Sequence, residues 1–465
     1  MSLPGRMAPR QSPKPTIPSD TGESTELQIR NLTRQQWLGN LFWLYALQGL
    51  NYLVPLAVLP YLLRVLGVER YGLIAFAQAF AQYFVILTDY GFNLSATKRI
   101  ALIRDDRKQV SVVFWSVLFI KLVLLCGGAL VLTGILIAVP RFHADASLYA
   151  VAYIAVLGNA LFPVWLFQGM ERMRYISVVS GSAKIASALL LFVFVHHPAD
   201  YAVALAIQSG GVLIAGVAGV WIALSRFELS FQRLTFSDLC DTLRDGWHLF
   251  VSNAAGTLYA TTNVFLVGLL AGNVQAGYFA AAERLTRSLQ GMLGPITQAI
   301  YPHVSGLASR SREIALSFLR QSLLWIGLLS FVPSAILLLF AHPIAVLLFG
   351  NAAAGSVTPL RWMAMLPFIL AVSSVLAIQT MIPFGMERSL SRLYVIAGLS
   401  SLAISIPSIH RYGASGGAAA VMVVELCIVI AMWQILRHHA IDLRPRTIRL
   451  ASHPKTKVSQ NAVTF

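Results

Sequence analysis

This sequence predicts an all-α polytopic membrane protein of about twelve transmembrane helices, in two six-helix pseudo-symmetric lobes around a central cavity. Three observations predict it. Of 465 residues, 57% are hydrophobic and only 12% charged, against roughly 25% charged in soluble domains. The apolar residues gather into runs of about 20, enough to cross a bilayer. A glycine pattern also recurs: GVERYGLIAFAQAF from Gly67 and GNVQAGYFAAAERL from Gly272 place Gly67 and Gly72, then Gly272 and Gly277, at the same spacing. Two halves in the same orientation imply a pseudo-two-fold axis along the membrane normal, with a cavity between them near the midplane.

Taken in order, residues 1–36 are polar, proline-rich between Pro4 and Pro18, and lack the apolar core of a signal peptide. They read as a disordered cytoplasmic tail. Spans are expected near 37–64, 71–95, 111–138, 147–169, 174–195 and 201–224, which make the first lobe, 37–224. A polar connection covers 225–247. Six more spans, near 248–271, 276–303, 317–341, 357–383, 390–409 and 413–436, make the second lobe, 248–436, and a basic tail covers 437–465. Pro55 and Pro60 should bend or break the first span.

The net charge of +16 would suit a nucleic-acid binder, but the basic residues are scattered through short connections. They report topology. Tails and even-numbered connections carry Lys98, Arg99, Arg104, Arg107, Arg172, Arg226, Arg244, Arg388, Arg437 and others, whereas odd-numbered connections carry Arg64, Arg70, Arg141, Arg361 and Arg411. The asymmetry puts both termini in the cytoplasm. Cys126, Cys240 and Cys427 are too dispersed for a disulfide framework or a metal-ligand set.

The stretch that departs most from apolar composition is GYFAAAERLTRSLQGMLGPITQAIYP, Gly277 to Pro302. Glu283, Arg284 and Arg287 there are expensive at bilayer depth, about 2.5–3.5 kcal/mol each on insertion scales, so they should face protein or a water-filled cavity. Arg284, Arg287, Gly291, Gly294 and Gln298 share one helical face. A structural ion pair between Glu283 and Arg287, at i and i+4, is the competing reading. Further polar stripes mark Gln78, Gln82 and Asp89 in the second span, Gln48, Asn51 and Tyr52 in the first, and Asn253, Thr257 and Thr261 in the seventh. These residues suit sugar hydroxyls or, equally, hydrogen bonds between packed helices. Lys121 and Lys184 lie deep in the third and fifth spans, and Glu425 lies in the last. Basic groups outnumber acidic ones within the spans, and Arg suits bidentate capture of phosphate. An anionic solute is therefore favoured.

Three stretches carry a family resemblance: LTDYGFNLSATKRIA (Leu87 to Ala101), FPVWLFQGMERM (Phe162 to Met173) and the Gly277 to Pro302 stretch. They resemble the signatures of bacterial oligosaccharide flippases, the O-antigen and exopolysaccharide repeat-unit translocases of the multidrug/oligosaccharidyl-lipid/polysaccharide exporter superfamily, over about residues 37–436. The resemblance implies inner-membrane location and movement of an undecaprenyl-pyrophosphate-linked oligosaccharide to the periplasmic leaflet by alternating access. Polysaccharide polymerase and export machinery are its implied partners, beside membrane lipids. Arg284 and Arg287 would line the cavity and, with Lys184 and Lys121, hold the pyrophosphate, while Gln48, Asn51, Tyr52, Gln78, Gln82, Asn253, Thr257 and Gln298 would meet sugars. The short motifs at Asp89 to Arg99 and Gln168 to Met173 would make structural or gating contacts.

No phosphate-binding loop is present, so ATP is not the direct energy source and no cofactor is expected. Asp89, Glu283 and Glu425 are the candidates for proton or sodium coupling. A multidrug or small-solute antiporter of the same superfamily would share this topology, and the cationic spans argue against it. A polytopic polymerase, ligase or sugar transferase would need acid/base groups on a sizeable outer loop, and the connections around His143 and Pro359 are short. A scaffold for other membrane enzymes would leave the intramembrane charges without a reason.

Overall fold

The computed structural model describes residues 20–443 except 293, 351, 352, 440 and 442. Side chains of 20–47 and of 248, 252, 253, 255–260, 295, 298, 299, 302, 303 and 308–310 lie outside the description. Among the described residues the regular structure is helical: α1 (Asp20–Asp89), α2 (Phe92–Ile103), α3 (Arg107–Ala138), α4 (Pro140–His143), α5 (Ala146–Leu161), α6 (Val164–Gly169), α7 (Met173–Phe194), α8 (Tyr201–Arg226), α9 (Phe236–Ala271), α10 (Asn273–Gly291), α11 (Gly294–Arg310), α12 (Arg312–Leu339), α13 (Ala341–Phe349), α14 (Ala353–Met363), α15 (Leu366–Ser374) and α16 (Glu387–His438). A π-helical turn, Val375–Met381, follows α15.

Among the described residues, eight helical stretches are long and apolar enough to cross a membrane, and two of them, Gln48–Ile103 and Glu387–His438, are 56 and 52 residues long. Each is interrupted by a glycine that leaves helical geometry, Gly67 (φ 75°, ψ 167°) and Gly413 (φ 56°, ψ −132°). Past Gly413 the chain doubles back, since a Cβ on Gly416 would lie 1.9 Å from the Ser408 carbonyl oxygen. With α9 and the charged pair α10/α11, the passages match the expected spans. The repeat is visible in the backbone as well. Gly272 (φ 90°, ψ 174°) adopts nearly the conformation of Gly67, in a region essentially restricted to glycine.

Several boundaries differ from expectation. Pro55 and Pro60 sit inside α1, whose backbone departs from helix at Gly67 alone, so the first span is not broken at its prolines. Helix also begins at Asp20 rather than at 37. The polar connection 225–247 is shortened because Thr235 and Asp238 form a reciprocal capping box that starts α9 at Phe236. Hydrogen bonds from the Thr235 hydroxyl and backbone N–H hold the Asp238 carboxyl below its usual range. The eighth passage is two helices. α10 ends at Gly291 and α11 starts at Gly294, because Pro295 has no N–H and would crowd the carbonyl four residues earlier. The glycine-to-Gln298 continuation of the stripe therefore does not follow one helical register, and the Gln298 side chain lies outside the described residues.

Two of the apolar clusters among the described residues border the seam between the halves. One gathers α1, α3, α5, α7 and α8 around Phe76, Phe80, Phe142 and Tyr149. The other joins Leu59 and Leu63 of α1 to Val267, Phe279, Leu285, Phe349 and Leu360 of the second half. α1 packs most extensively against α10, and the contact is backbone on backbone. A Cβ on Gly72 would stand 1.9 Å from the Asn273 carbonyl oxygen, and one on Gly277 would stand 2.2 Å from that of Val68. The repeated glycines thus meet each other across the pseudo-symmetric seam.

Gly277→Leu is expected to destabilise the fold by about 1–3 kcal/mol through overpacking, read as a lowered thermal midpoint of the purified protein. Gly127→Ala, inside α3 at a position with nothing within 4 Å, should keep or slightly raise the midpoint.

Candidate functional site between the lobes

The charged face of α10 lies where both halves meet. Arg287 closes on Glu283, its Nε at 2.9 Å and its Nη2 at 2.8 Å from Glu283 Oε1. The expected i, i+4 pair therefore forms, while Arg284, one residue along, is exposed. From the other half, Lys184 of α7 donates to Asn51 Oδ1 of α1, and Lys184 lies within electrostatic reach of Arg284. Tyr71 interacts with both Arg284 and Glu283. Gly291 sits on the Tyr52 ring so closely that a Cβ would fall 2.1 Å from Cζ. Asn51, Tyr52, Lys184, Glu283, Arg284 and Arg287, drawn from spans one, five and eight, are thus brought into one place.

The other sequence candidates fall elsewhere. Lys121 is 2% exposed and its Nζ lies 3.2 Å from Asp89 Oδ1, which also accepts from Asn93 Nδ2 at 2.8 Å. This cation is therefore neutralised within the first half, where α1 meets α3, instead of standing beside Arg284. Gln78 Nε2 donates to Gln208 Oε1 at 3.1 Å, the interhelical alternative noted for it. Gln48 and Gln82 are half-buried. Glu425 is buried at 8% exposure and lies near Tyr394 on the preceding passage, so its surroundings come from outside its own span. The side chains of Asn253 and Thr257 lie outside the described residues. Thr261 is half-buried.

Sequence reasoning missed the groups that join the halves at their two ends. At the charge-poor end, Arg141 donates to the carbonyls of Gly268 and Leu269, the open C-terminus of α9, and stands over the Phe76 ring at 5.8 Å. Arg64 donates to Leu347 O at the end of α13. Guanidiniums on the carbonyls of a helix's last turn meet its negative dipole end. At the arginine-rich end, Tyr90 stacks on Phe250 at 4.8 Å and 11°, Gly91 abuts the Leu249–Phe250 backbone, and Arg99 lies 3.9 Å from Asp245. Arg64 and Arg141 had counted only as topology markers. A second omission is Gln379, fully buried in the π-helical turn, with Nε2 3.4 Å from Thr297 O. No spacing pattern singles it out.

Comparison with known proteins decides the family. The pattern of the family described as polysaccharide biosynthesis protein matches residues 37–308. The chain belongs to that family. Two relatives bear the name "Putative O-antigen transporter": one from Escherichia coli (strain K12), 34% identical over 86% of this chain and 96% of its own length, and one from Shigella dysenteriae, 28% identical over 86% and 99%. Among solved structures, the lipid II flippase MurJ in an inward closed conformation aligns with a TM-score of 0.63 at 13% identity, covering 85% of this chain and 87% of MurJ. An inward-facing multidrug resistance MATE family transporter of the MOP superfamily aligns with a TM-score of 0.60 at 16% identity, covering 85% and 95%. These likenesses give the fold of this family member as the two-lobe transporter architecture. Together with the family and its transporter-named relatives, they make it a polytopic membrane transporter rather than an enzyme.

Removing one partner of the Asp89–Lys121 pair should cost about 3 kcal/mol, because the other charge is left buried and uncompensated. Thermal unfolding of Asp89→Asn and Lys121→Met should show this loss, with the double variant more stable than either single one. Arg141→Ala should increase labelling of a cysteine placed at Leu269 by an impermeant thiol reagent, since the fork over the end of α9 is lost.

Proposed function

We propose that the protein flips a lipid-linked oligosaccharide repeat unit, carried on undecaprenyl pyrophosphate, from the cytoplasmic to the periplasmic leaflet of a bacterial inner membrane. The observation that carries this reading is the convergence of Arg284, Arg287 and Lys184 with Asn51 and Tyr52 between the lobes. Guanidiniums match the fork of phosphate oxygens, and amide and phenol groups match sugar hydroxyls. The family match and the relatives' names support a polysaccharide cargo, and the MurJ-like fold supports a lipid-linked one.

The positive-inside asymmetry orients the molecule. The arginine-rich end would be cytoplasmic, with both termini, and the end latched by Arg64 and Arg141 periplasmic. Transport would proceed by alternating access. Pyrophosphate enters from the cytoplasmic side, displaces Glu283 from Arg287 and draws on Arg284, while the lipid tail stays in the bilayer. Release of the Arg64 and Arg141 forks then opens the far side. Glu283 is the carboxylate best placed for proton or sodium coupling, because its partner is the arginine that phosphate would claim; Asp89 is held by Lys121, and Glu425 lies beside Tyr394. A polysaccharide polymerase and export machinery would consume the product.

Complementation of a flippase-null strain that retains its glycan pathway tests this reading. The native chain should restore surface glycan. Arg284→Ala and Arg287→Ala, at matched membrane abundance, should lower it at least about tenfold, the equivalent of 1.4 kcal/mol, with lipid-linked units accumulating in the inner leaflet. Full activity in both variants would leave the arginines structural. Failure of the native chain, with altered resistance to cationic drugs on deletion, would favour a small-solute antiporter.

A further inference from the structure

Away from the inter-lobe site, three connections of the first half converge at the arginine-rich end. The turn after α2, the turn between α6 and α7, and the segment after α8 wall a cavity of about 580 Å³ lined by Arg104, Arg107, Arg172, Arg226, Tyr175 and Phe227, among others. Four arginines stand there against Asp105 and Glu228, so the cavity is cationic. Two of the arginines are engaged: Arg104 Nη1 lies 3.1 Å from Glu171 Oε1, and Arg107 pairs with Glu228. Arg172 and Arg226 have no side-chain hydrogen-bond or ion-pair partner among the described residues.

The two carboxylates that engage their neighbours are held in unusual backbone. Glu171 (φ 55°) and Glu228 (φ 52°) are two of the three described non-glycine residues with positive φ, a conformation that long side chains seldom adopt and that gathers at binding sites. Tight packing seats the wall. A Cβ on Gly169 would lie 2.7 Å from Ile100 Cγ2, and Thr97 Oγ1 lies 3.2 Å from Trp165 O. The motif around Gln168 to Met173, which the transport reading does not use, thus lines this cavity, and the Asp89 to Arg99 motif braces it through Thr97.

Exposed apolar side chains surround it. Leu102, Phe231 and Phe236 flank it in sequence and are 78%, 73% and 82% exposed, and Trp115 Nε1 donates to Ser230 O at 3.1 Å on the same side. Exposed apolar side chains beside a cationic opening fit the boundary where aromatics enter the acyl region and guanidiniums meet lipid phosphates. We propose that the cavity binds the phosphate of an anionic lipid headgroup in the leaflet on that side, held between Arg172 and Arg226. The assignment does not rest on the identity of the transported cargo.

Native mass spectrometry of the purified full chain, exposed to phosphatidylglycerol or phosphatidylcholine, tests it without any transport assay. The native chain should retain phosphatidylglycerol over phosphatidylcholine. Arg172→Gln with Arg226→Gln should weaken that retention about tenfold or more. Arg172→Lys with Arg226→Lys should keep most of it, which separates loss of charge from misfolding. Arg388→Gln with Arg392→Gln, the same charge change in the other lobe, should leave it intact. Unchanged retention in the double glutamine variant, or equal loss in the Arg388 and Arg392 control, would overturn the proposal. Displacement of phosphatidylglycerol by millimolar inorganic phosphate, with direct phosphate binding lost in the glutamine variant, would assign the site to a soluble phosphate and overturn the lipid as its source.

Discussion

Charge at hydrocarbon depth is the constraint on which the rest of the structure depends. Glu283, Arg284 and Arg287 cannot face lipid tails without a cost of several kcal/mol, so α10 must turn that face toward protein. The small residues beside it, Ala276, Ala280, Ala281 and Ala282, are buried and let neighbouring helices approach. Lys184 is accommodated on the same terms, through Asn51. A polar centre between two apolar lobes results, and both ends of the bundle must then be joined by contacts separate from it.

Those contacts differ in chemistry between the two ends. At the charge-poor end, lone guanidiniums bind backbone carbonyls. At the arginine-rich end, Tyr90 and Phe250 stack and Arg99 meets Asp245. Arg64 and Arg141 are exposed, so water can take over either partner when a contact parts. By contrast, Lys121 is shielded from water, and its separation from Asp89 would strand a charge. The first arrangement suits a contact that opens and closes, the second a contact that keeps one lobe intact.

The passages and their pseudo-symmetry were legible in the sequence because hydropathy, positive-inside bias and glycine spacing are local patterns. Interruptions followed local chemistry too, but the competing terms were harder to rank. Pro55 and Pro60 were absorbed into a long helix, while Pro295, next to Gly294, was not. For the site, the sequence identified which residues were costly in lipid and left open what each one touches. Lys121 and Lys184 look alike in sequence, each about ten residues into a span. One meets the Asp89 carboxylate inside the first half, and the other meets Asn51 at the lobe boundary. Arg141 is a plain loop arginine until the end of α9 is brought beneath it, and Gln379 gains meaning only from the π-helical turn that holds it.

The glycine seam between α1 and α10 has one more implication. Where helices interlock through side chains, sliding one past the other obliges each residue to find a new rotamer and a new cavity. Gly72 and Gly277 present bare main chain, so this line of closest approach carries no teeth. The lobes are pressed together most tightly where they can also roll with the least friction, much as a bearing carries load across a smooth race.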